Sequence, residues 1–152
     1  MYFDNVAAGI ELLECTFSEV KIESNIVDLL PEAERKFGLN VLAPAIIDEK
    51  GHVSKIRIKI IVEIEQDGNG KSLFSMIMDG LFKATKEITE DEFMRLVSIN
   101  GVASMIGIAR GKIESISSSI YNNGKVVIPF VNVVEYYKEL EKQLKESGAR
   151  HH

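Results

Sequence analysis

The sequence predicts an α+β domain, with strands in the first half of the chain and helices in the second. Alternating apolar and polar residues, the period of a strand with one buried face, dominate the chain up to about Lys83. After about Thr89, apolar residues recur at spacings of three and four, as in amphipathic helices. Strands followed by helices favour an α+β arrangement over alternating βαβ units.

The composition is that of one globular domain with its own core. A chain of 152 residues has the usual size of a single domain and can bury a core without disulfides. Its hydrophobic fraction of 45% and charged fraction of 27% are ordinary for such a domain. We therefore assign residues 1–148 to a single domain and residues 149–152, which end in two histidines, to a tail of the kind left by a purification tag.

Charge and cysteine content point to a compartment and to a class of partner. The net charge of −5 disfavours binding to nucleic acid and suits basic polypeptide partners. Cys15 is the one cysteine, so no internal disulfide forms, as is usual in a reducing compartment. The N-terminus has no signal-peptide pattern, and no apolar stretch reaches the length of a bilayer span. We expect a soluble, cytoplasmic protein without membrane insertion.

The first strand covers residues 10–22 and changes phase along its length. Cys15 and Phe17 alternate in one phase, whereas Val20 and Ile22 alternate in the opposite one. A straight strand would expose one of these pairs to water, so the pattern predicts a β-bulge near Ser18.

The next segment is less regular, and we expect a short helix followed by a broken strand. Pro31 and Gly38 bracket residues 32–36, a charged stretch compatible with a short helix. Residues 39–47 have strand character with Pro44 inside. Because proline donates no ladder hydrogen bond, this strand is expected at a sheet edge or interrupted at Pro44.

The third and fourth strands form the clearest hairpin in the sequence. Alternate isoleucine and valine residues from Ile56 to Ile64 predict the third strand, and residues 66–71 favour positive φ and a tight turn. The fourth strand, residues 72–83, is apolar on both faces, so one face should pack on the helices and the other needs a second layer or a subunit. Its two faces carry Phe74, Met76 and Met78 on one side and Leu73, Ile77 and Leu81 on the other.

Three helices are predicted in the second half. Thr89 and Glu92 form a capping-box pattern that begins the first helix, and residues 100–101, Asn-Gly, should end it. A second helix should begin at Val102, and a third at about Val133. The stripe of the second helix contains Ile106, Ala109, Ile113, Ile116 and Ile120.

No residue pattern in the chain has the makings of a catalytic or metal centre. Cys15 has only His52 within the domain as a possible base, so we interpret it as a small apolar residue of the first strand. Residues 67–71 lack the spacing of a calcium or phosphate loop and fit a hairpin turn better. The acidic residues 90–92 fit the first turn of a helix. We expect a protein that is not an enzyme and needs no cofactor or metal.

Residues 79–137 resemble the SecB family of protein-export chaperones in the order of their motifs. A Gly-Leu-Phe strand end at 80–82 is followed by an acidic-capped helix at 88–93 and an Asn-Gly turn at 100–101. An Ala-Arg step at 109–110 and a Pro-containing Val-Asn stretch at 128–132 come next. The chain departs from the family pattern at residues 106–107, where the family often has Phe-Pro, and at Phe130, where it often has proline. A divergent relative is therefore expected.

The resemblance implies a four-stranded antiparallel sheet with the C-terminal helices on one face, and a homotetramer. It also implies that unfolded or preprotein polypeptides are held in apolar grooves without ATP. The fourth strand, apolar on both faces, agrees with a need for a partner. Flexible methionines are suitable groove material. From this resemblance and the apolar pattern, we expect a client-binding groove formed by Val41, Leu42, Ile46, Met76, Met78, Ile116, Ile120 and Tyr121.

In the export chaperones, an acidic sheet surface docks the SecA-type translocation motor. Aligning the strands places Glu19, Glu23 and Leu73 at matching docking positions. Ser75 stands where the family pattern has an acidic residue, and a solvated strand face explains the two glutamates equally well. Two further functions stay open: a dedicated chaperone for a toxin–antitoxin pair, and a structural or adaptor protein with the same fold.

Overall fold

The computed structural model describes residues 2–3 and 7–150, which contain five strands and three α-helices. The strands are β1 (Ile10–Ser24), β2 (Glu34–Val41), β3 (Ala45–Ile46), β4 (Val53–Gln66) and β5 (Gly70–Ala84). The helices are α1 (Glu90–Leu96), α2 (Val102–Ile120) and α3 (Val133–Arg150), and the π-helical segment Val97–Gly101 joins α1 to α2. Helix α3 thus takes in residues 149–150 of the predicted tail, while residues 151–152 lie outside the described residues.

The strands form one antiparallel sheet in the order β1-β5-β4-β2, and β3 pairs with β4 beyond the end of β2. Val41 of β2 lies opposite Ile58, and Ala45 of β3 lies opposite Lys55. The predicted second strand is therefore split around Pro44, which confirms its interruption at a sheet edge and raises the strand count from four to five. The α+β class and the antiparallel sheet are confirmed as well.

Strand β1 is bulged twice. The register with β5 shifts between Leu12 and Glu14 and again between Phe17 and Glu19. The second shift confirms the bulge predicted near Ser18. The first was not predicted, because Leu12 and Leu13 are both apolar and give no phase change to detect.

The short helix predicted at residues 32–36 is wrong. Strand β2 begins at Glu34, and Arg35 lies opposite Ile64 of β4. The Arg35 guanidinium donates hydrogen bonds to the carbonyls of Leu30, Pro31 and Ala33, which fixes a turn just ahead of the strand. A helix of one turn gains little after its costly nucleation, whereas pairing with a long neighbouring strand satisfies the backbone groups of β2 that face β4.

The helices cover one face of the sheet and bury its central hairpin. Alternate residues of β4 from Ile56 to Ile64 are at most 4% exposed, and Ile58 lies opposite Met78 of β5. Each buried aliphatic side chain of this kind stabilises the fold by roughly 1.5–3 kcal/mol. From the helical side, the core is completed by Val97, Val102, Met105, Ala109 and Ile113.

The helix predicted to end at residues 100–101 continues through them. The hydroxyl of Thr89 accepts a hydrogen bond from the Glu92 backbone N–H, which confirms the predicted start of α1. At the other end, the π-helical segment leads directly into α2 with helical dihedral angles. A Cβ atom on Gly101 would lie 2.9 Å from Cζ of Phe82. Gly101 is therefore present for close packing on β5 and not as a helix terminator.

The continuous helical run Glu90–Ile120 has 31 residues and, by length and composition, is long and apolar enough to cross a membrane. This corrects the expectation that no stretch of the chain reaches that length. Core helices meet the same criterion, and the inner side of this run, including Met105 and Ile113, packs on the sheet.

Helix α3 is attached to the body only through its first turns. Val133 is buried, and the hydroxyl of Tyr137 donates a hydrogen bond to the carbonyl of Ser98 at 3.0 Å. Burial raises the pKa of Tyr137, so the phenol stays a neutral donor there. Residues 141–148 are all exposed, and among them Leu144 is 66% exposed.

Candidate functional site

An apolar groove lies between the edge strand β2 and the extended segment that precedes α3. Residues 126–129 alternate between buried and exposed, with Val126 and Ile128 in the core. The N–H of Val126 donates a hydrogen bond to the Ser117 hydroxyl of α2. Between this segment and β2 there is a cavity of about 140 Å³ that is almost wholly apolar. Its lining residues are Phe37, Gly38, Leu39, Ile60, Ile106, Ile128, Pro129 and Val131.

A second cavity extends the groove toward α3. It measures about 520 Å³ and shares Leu39 and Val131 with the first cavity, so the two cavities adjoin beside β2. Its wall is mixed, since Tyr136 and Leu140 are apolar while exposed polar residues stand at the rim. The polar members are Asn40, Asn132, Glu135, Glu139 and Gln143.

The outer edge of β2 presents backbone groups to this groove. Within the part of the chain that the structure describes, β2 pairs on one side only, with β4. Antiparallel strands direct successive backbone groups alternately toward the partner and away from it. The N–H of Leu42 donates to Arg57 of β4, whereas that of Val41 donates outward to the Tyr136 hydroxyl. Leu39, two residues from Val41, therefore directs its N–H and C=O outward as well.

None of the eight residues expected in the client groove lines either cavity. Met76, Met78 and Tyr121 are at most 3% exposed and fill the core beneath the helices, so no client reaches them in this conformation. Tyr121 is held there by a 2.7 Å hydrogen bond to Ser72. The other five lie nearer the surface and outside the two linings, although the N–H of Val41 bonds the Tyr136 hydroxyl at the second cavity. These five are Val41, Leu42, Ile46, Ile116 and Ile120.

The groove residues missed by the sequence did leave a signal. Phe37, Leu39 and Val41 alternate with polar or small residues, as in a half-buried strand, but the first of them adjoined the expected helix. The extended segment around Pro129 was recognised, yet nothing in the sequence showed that it lies against β2. Met76 and Met78 were expected in the groove because an apolar strand has two faces and the pattern does not tell which face the helices cover. Their part in client binding stays a prediction.

The residues expected to dock a motor do lie together on the open face of the sheet. Glu23 of β1 is directly opposite Leu73 of β5, and Glu19 is opposite Ile77. Glu63 and Glu65 of β4 join Glu23 and Leu73 around an open cavity of about 470 Å³. This end of the face carries three glutamates around Leu73, together with Lys71 at the same cavity and Lys21, whose Nζ lies 3.8 Å from the Glu23 carboxylate.

Toward the other end of the open face, Arg57 and Asp79 form a bidentate ion pair with N–O distances of 2.7 and 3.1 Å. The hydrogen bonds and charge of Arg57 hold the pKa of Asp79 below its usual range. Ser75 lies between the two ends, opposite Lys21 and Ile61, and contributes no charge.

The candidate reactive groups occupy structural positions. Cys15 lies half-buried in β1, and burial raises the pKa of its thiol, which disfavours the nucleophilic thiolate. Residues 67–69 form the predicted hairpin turn, with positive φ at Asp67 and Gly68. Glu92 pairs with Arg95 on α1. No group of three His, Cys, Asp or Glu residues within the described ranges is arranged to hold a metal ion.

Comparison with known proteins gives a likeness in fold. No family model matches the chain, and no curated protein matches it either. Among solved structures, the Mycobacterium tuberculosis SecB-like chaperone Rv1957, in complex with a ChAD peptide from the Rv1956 HigA1 antitoxin, matches with a TM-score of 0.60 and 14% identity. The match covers 84% of this chain and 94% of that one. A Streptococcus agalactiae protein of unknown function matches with a TM-score of 0.42 and 13% identity, over 80% of this chain and 97% of that one. The chain therefore has the fold of a SecB-like chaperone, as its motifs predicted.

Proposed function

We propose that this protein is an ATP-independent holdase that binds unfolded polypeptides in the groove beside β2. The observation that carries the proposal is the combination of an apolar cavity with an unpaired strand edge. The cavity between Phe37 and Val131 accepts apolar side chains, and the outward backbone groups of β2 accept an extended chain. The SecB-like fold supports the same function.

The groove suits clients of varied sequence because it would bind them through backbone hydrogen bonds and apolar contacts, and neither requires a particular client sequence. Backbone hydrogen bonds to a strand edge are the same for every residue except proline. Apolar contacts add roughly 25 cal/mol per Å² buried, from which the cost of ordering the client is subtracted. Many weak contacts of this kind hold a chain without fixing its sequence.

The first test follows the light scattering of a chemically unfolded, aggregation-prone client without nucleotide, while the oligomer mass of the protein is measured. We expect the wild-type protein to suppress scattering and Phe37→Asp to lose most of that suppression, because the charge enters the apolar cavity. Ile120→Asp is the matched comparison, since Phe37 is 38% exposed and Ile120 is 41% exposed. Val27→Asp, at an exposed site that lines neither cavity, is the neutral control.

The outcomes separate the candidate sites. Loss of suppression in Phe37→Asp alone places clients in the groove beside β2. Loss in Ile120→Asp alone returns the site to the last turn of α2, where the sequence had placed it. If the wild-type protein suppresses nothing, general holdase activity is excluded, and a structural or adaptor role becomes the better account.

A dedicated chaperone for the antitoxin of a toxin–antitoxin pair is the second candidate. The similar M. tuberculosis protein was solved with a peptide from an antitoxin, which favours this alternative. Such a protein would bind one partner tightly and leave most unfolded clients to aggregate. A toxin gene beside its own, together with selective binding of the neighbouring antitoxin, would separate it from the general holdase.

Docking of a SecA-type motor and assembly into a homotetramer are further proposals. The motor site is supported by the position of Glu23 beside Leu73 and Glu63 on the open face. Assembly is supported by the unpaired outer edge of β1 and by the small residues Gly107 and Gly111 on the exposed side of α2, where a Cβ atom would meet nothing. Sedimentation of the wild-type protein measures the subunit number, and titration with the motor measures docking.

A further inference from the structure

Arg110 and Phe130 form a stacked pair beside the groove. The guanidinium carbon of Arg110 lies 4.1 Å from the centroid of the Phe130 ring. Arg110 follows Ile106 by one helical turn, and Phe130 stands between Pro129 and Val131, so both partners adjoin residues that line the groove. Phe130 is 88% exposed, and Pro129 before it is exposed as well, whereas Val131 after it packs partly buried against the core.

The positive charge of Arg110 is not neutralised within the described residues. No ion pair or hydrogen bond found there includes it, and its Nε–H is covered without an acceptor. The carboxylate of Glu114 stands four residues on, within reach of a helical pair, although a pair is more favourable when the acidic residue comes first. Here Glu114 instead lies 3.6 Å from Nζ of Lys125. A covered donor without an acceptor is unfavourable, and native proteins rarely retain one without a reason.

We infer that the Arg110–Phe130 pair recognises an aspartate or glutamate side chain of the polypeptide held in the groove. The inference rests on the proposed holdase function and adds a chemical preference to it. A guanidinium stacked on an aromatic ring keeps the donors on its edge free, and those donors match a carboxylate in pairs. Arg110 as a whole is partly exposed whereas its Nε is covered, so the carboxylate meets the terminal nitrogens.

The position of the pair favours a side-chain carboxylate over a chain terminus. The pair stands beside the first cavity, which adjoins the second at Leu39 and Val131, so we expect a bound segment to extend past Arg110 into the second cavity. The apolar ring of Phe130 suits a client in which an acidic residue is flanked by apolar ones. The net charge of −5 and the rim carboxylates Glu135 and Glu139 oppose an acidic segment, so the contact with Arg110 must outweigh both for the preference to appear.

The test uses two fluorescein-labelled peptides of alternating Leu and Thr that differ only in a central Glu or Gln. Their dissociation constants are measured by anisotropy with the full chain. We expect the wild-type protein to bind the Glu peptide about tenfold more tightly than the Gln peptide, because a charge-assisted hydrogen bond replaces a neutral one. In Arg110→Met, which keeps the long apolar stem, the ratio of the two constants should fall to about one.

Two further variants make the result specific. Phe130→Leu removes the stacking surface at a site exposed enough to tolerate the change, and it should reduce the Glu preference. Arg95→Met removes an exposed arginine that is paired with Glu92 on α1, and it should leave the preference as in the wild type. Circular dichroism of each variant verifies the fold.

Each other outcome overturns the inference. Equal binding of the two peptides to the wild-type protein, or a preference that survives in Arg110→Met, removes Arg110 from recognition while leaving the holdase proposal intact. If tight binding requires a free C-terminus and is lost when the peptide is amidated, the carboxylate that Arg110 recognises is the chain end and not a side chain. If Arg110→Met changes the oligomer mass, the carboxylate that Arg110 binds belongs to a second copy of this chain. If neither peptide binds, the holdase proposal fails together with the inference.

Discussion

The hydroxyl of Tyr136 accepts a hydrogen bond from the backbone N–H of Val41 at 3.1 Å, across 95 positions of the chain. The bond joins the first turn of α3 to the outer edge of β2, so it closes one end of the edge at which we place the client. The Tyr136 ring also packs edge-on against Tyr137, with ring centroids 5.3 Å apart. Helix α3 therefore sets how much of the β2 edge is open.

Removing that hydroxyl should loosen the end of the groove. Tyr136→Phe leaves the Val41 N–H without its acceptor and should cost about 1 kcal/mol of unfolding free energy. Hydrogen exchange at Val41 should become faster, while exchange at Ile58, in the centre of the sheet, changes only with global stability. Unchanged exchange at Val41 would show that the bond does not hold α3 in place in solution.

Two glycines in one helical run should respond oppositely to the same substitution. In Gly101→Ala the new methyl group lies 2.9 Å from the Phe82 ring, and the overpacking should lower the unfolding free energy by roughly 1–3 kcal/mol. In Gly107→Ala the new methyl group meets nothing within 4 Å, so the better helix propensity of alanine should raise the unfolding free energy by up to about 1 kcal/mol. Urea denaturation measures both. Equal effects would mean that Gly101 serves helix geometry and not the contact with Phe82.

Gly101 shows why the sequence predicts some elements of the fold and not others. Strand β4 was predicted because its alternation of isoleucine with charged residues is a local pattern that only a half-buried strand explains. The end of a helix at Asn100-Gly101 was an equally local prediction, but a side chain from β5 determined that position. Contacts between segments that are far apart in the chain produce no periodic pattern of apolar residues in the sequence.

The lining of the groove beside β2 could not be predicted for the same reason. Its two walls are separated by about ninety positions, from Leu39 to Val131, and each wall looks like an ordinary strand or loop by itself. The docking residues were placed together correctly because Glu23 and Leu73 lie on strands whose pairing follows from the fold. Their role as a docking site stays a prediction.

The Arg57–Asp79 pair gives the stability a dependence on acid. Because its folded-state pKa is lowered, Asp79 contributes stability that is fully present above the unfolded value of 3.8 and is lost as the pH falls through the lower folded value. The unfolding free energy of the wild-type protein should therefore decline below about pH 4. In Asp79→Asn this contribution to the decline should disappear, and chemical denaturation at several pH values measures it. A decline of the same size in the variant would assign it to other carboxylates, with Glu92, whose pKa is also lowered, as the first candidate.

Backbone methylation of a client peptide should reveal whether the client pairs with β2. An extended chain added to a strand edge directs alternate N–H groups to that edge and the others to solvent. Two peptides of alternating Leu and Thr, methylated on the backbone nitrogens of either the Leu or the Thr positions, should therefore differ. The set whose N–H groups face β2 loses hydrogen bonds to Leu39 and its neighbours and should bind at least about tenfold more weakly, while the other set binds like the unmodified peptide. If the two sets bind equally, the client touches the groove through its side chains alone, and the unpaired edge beside Leu39 plays no part in holding it.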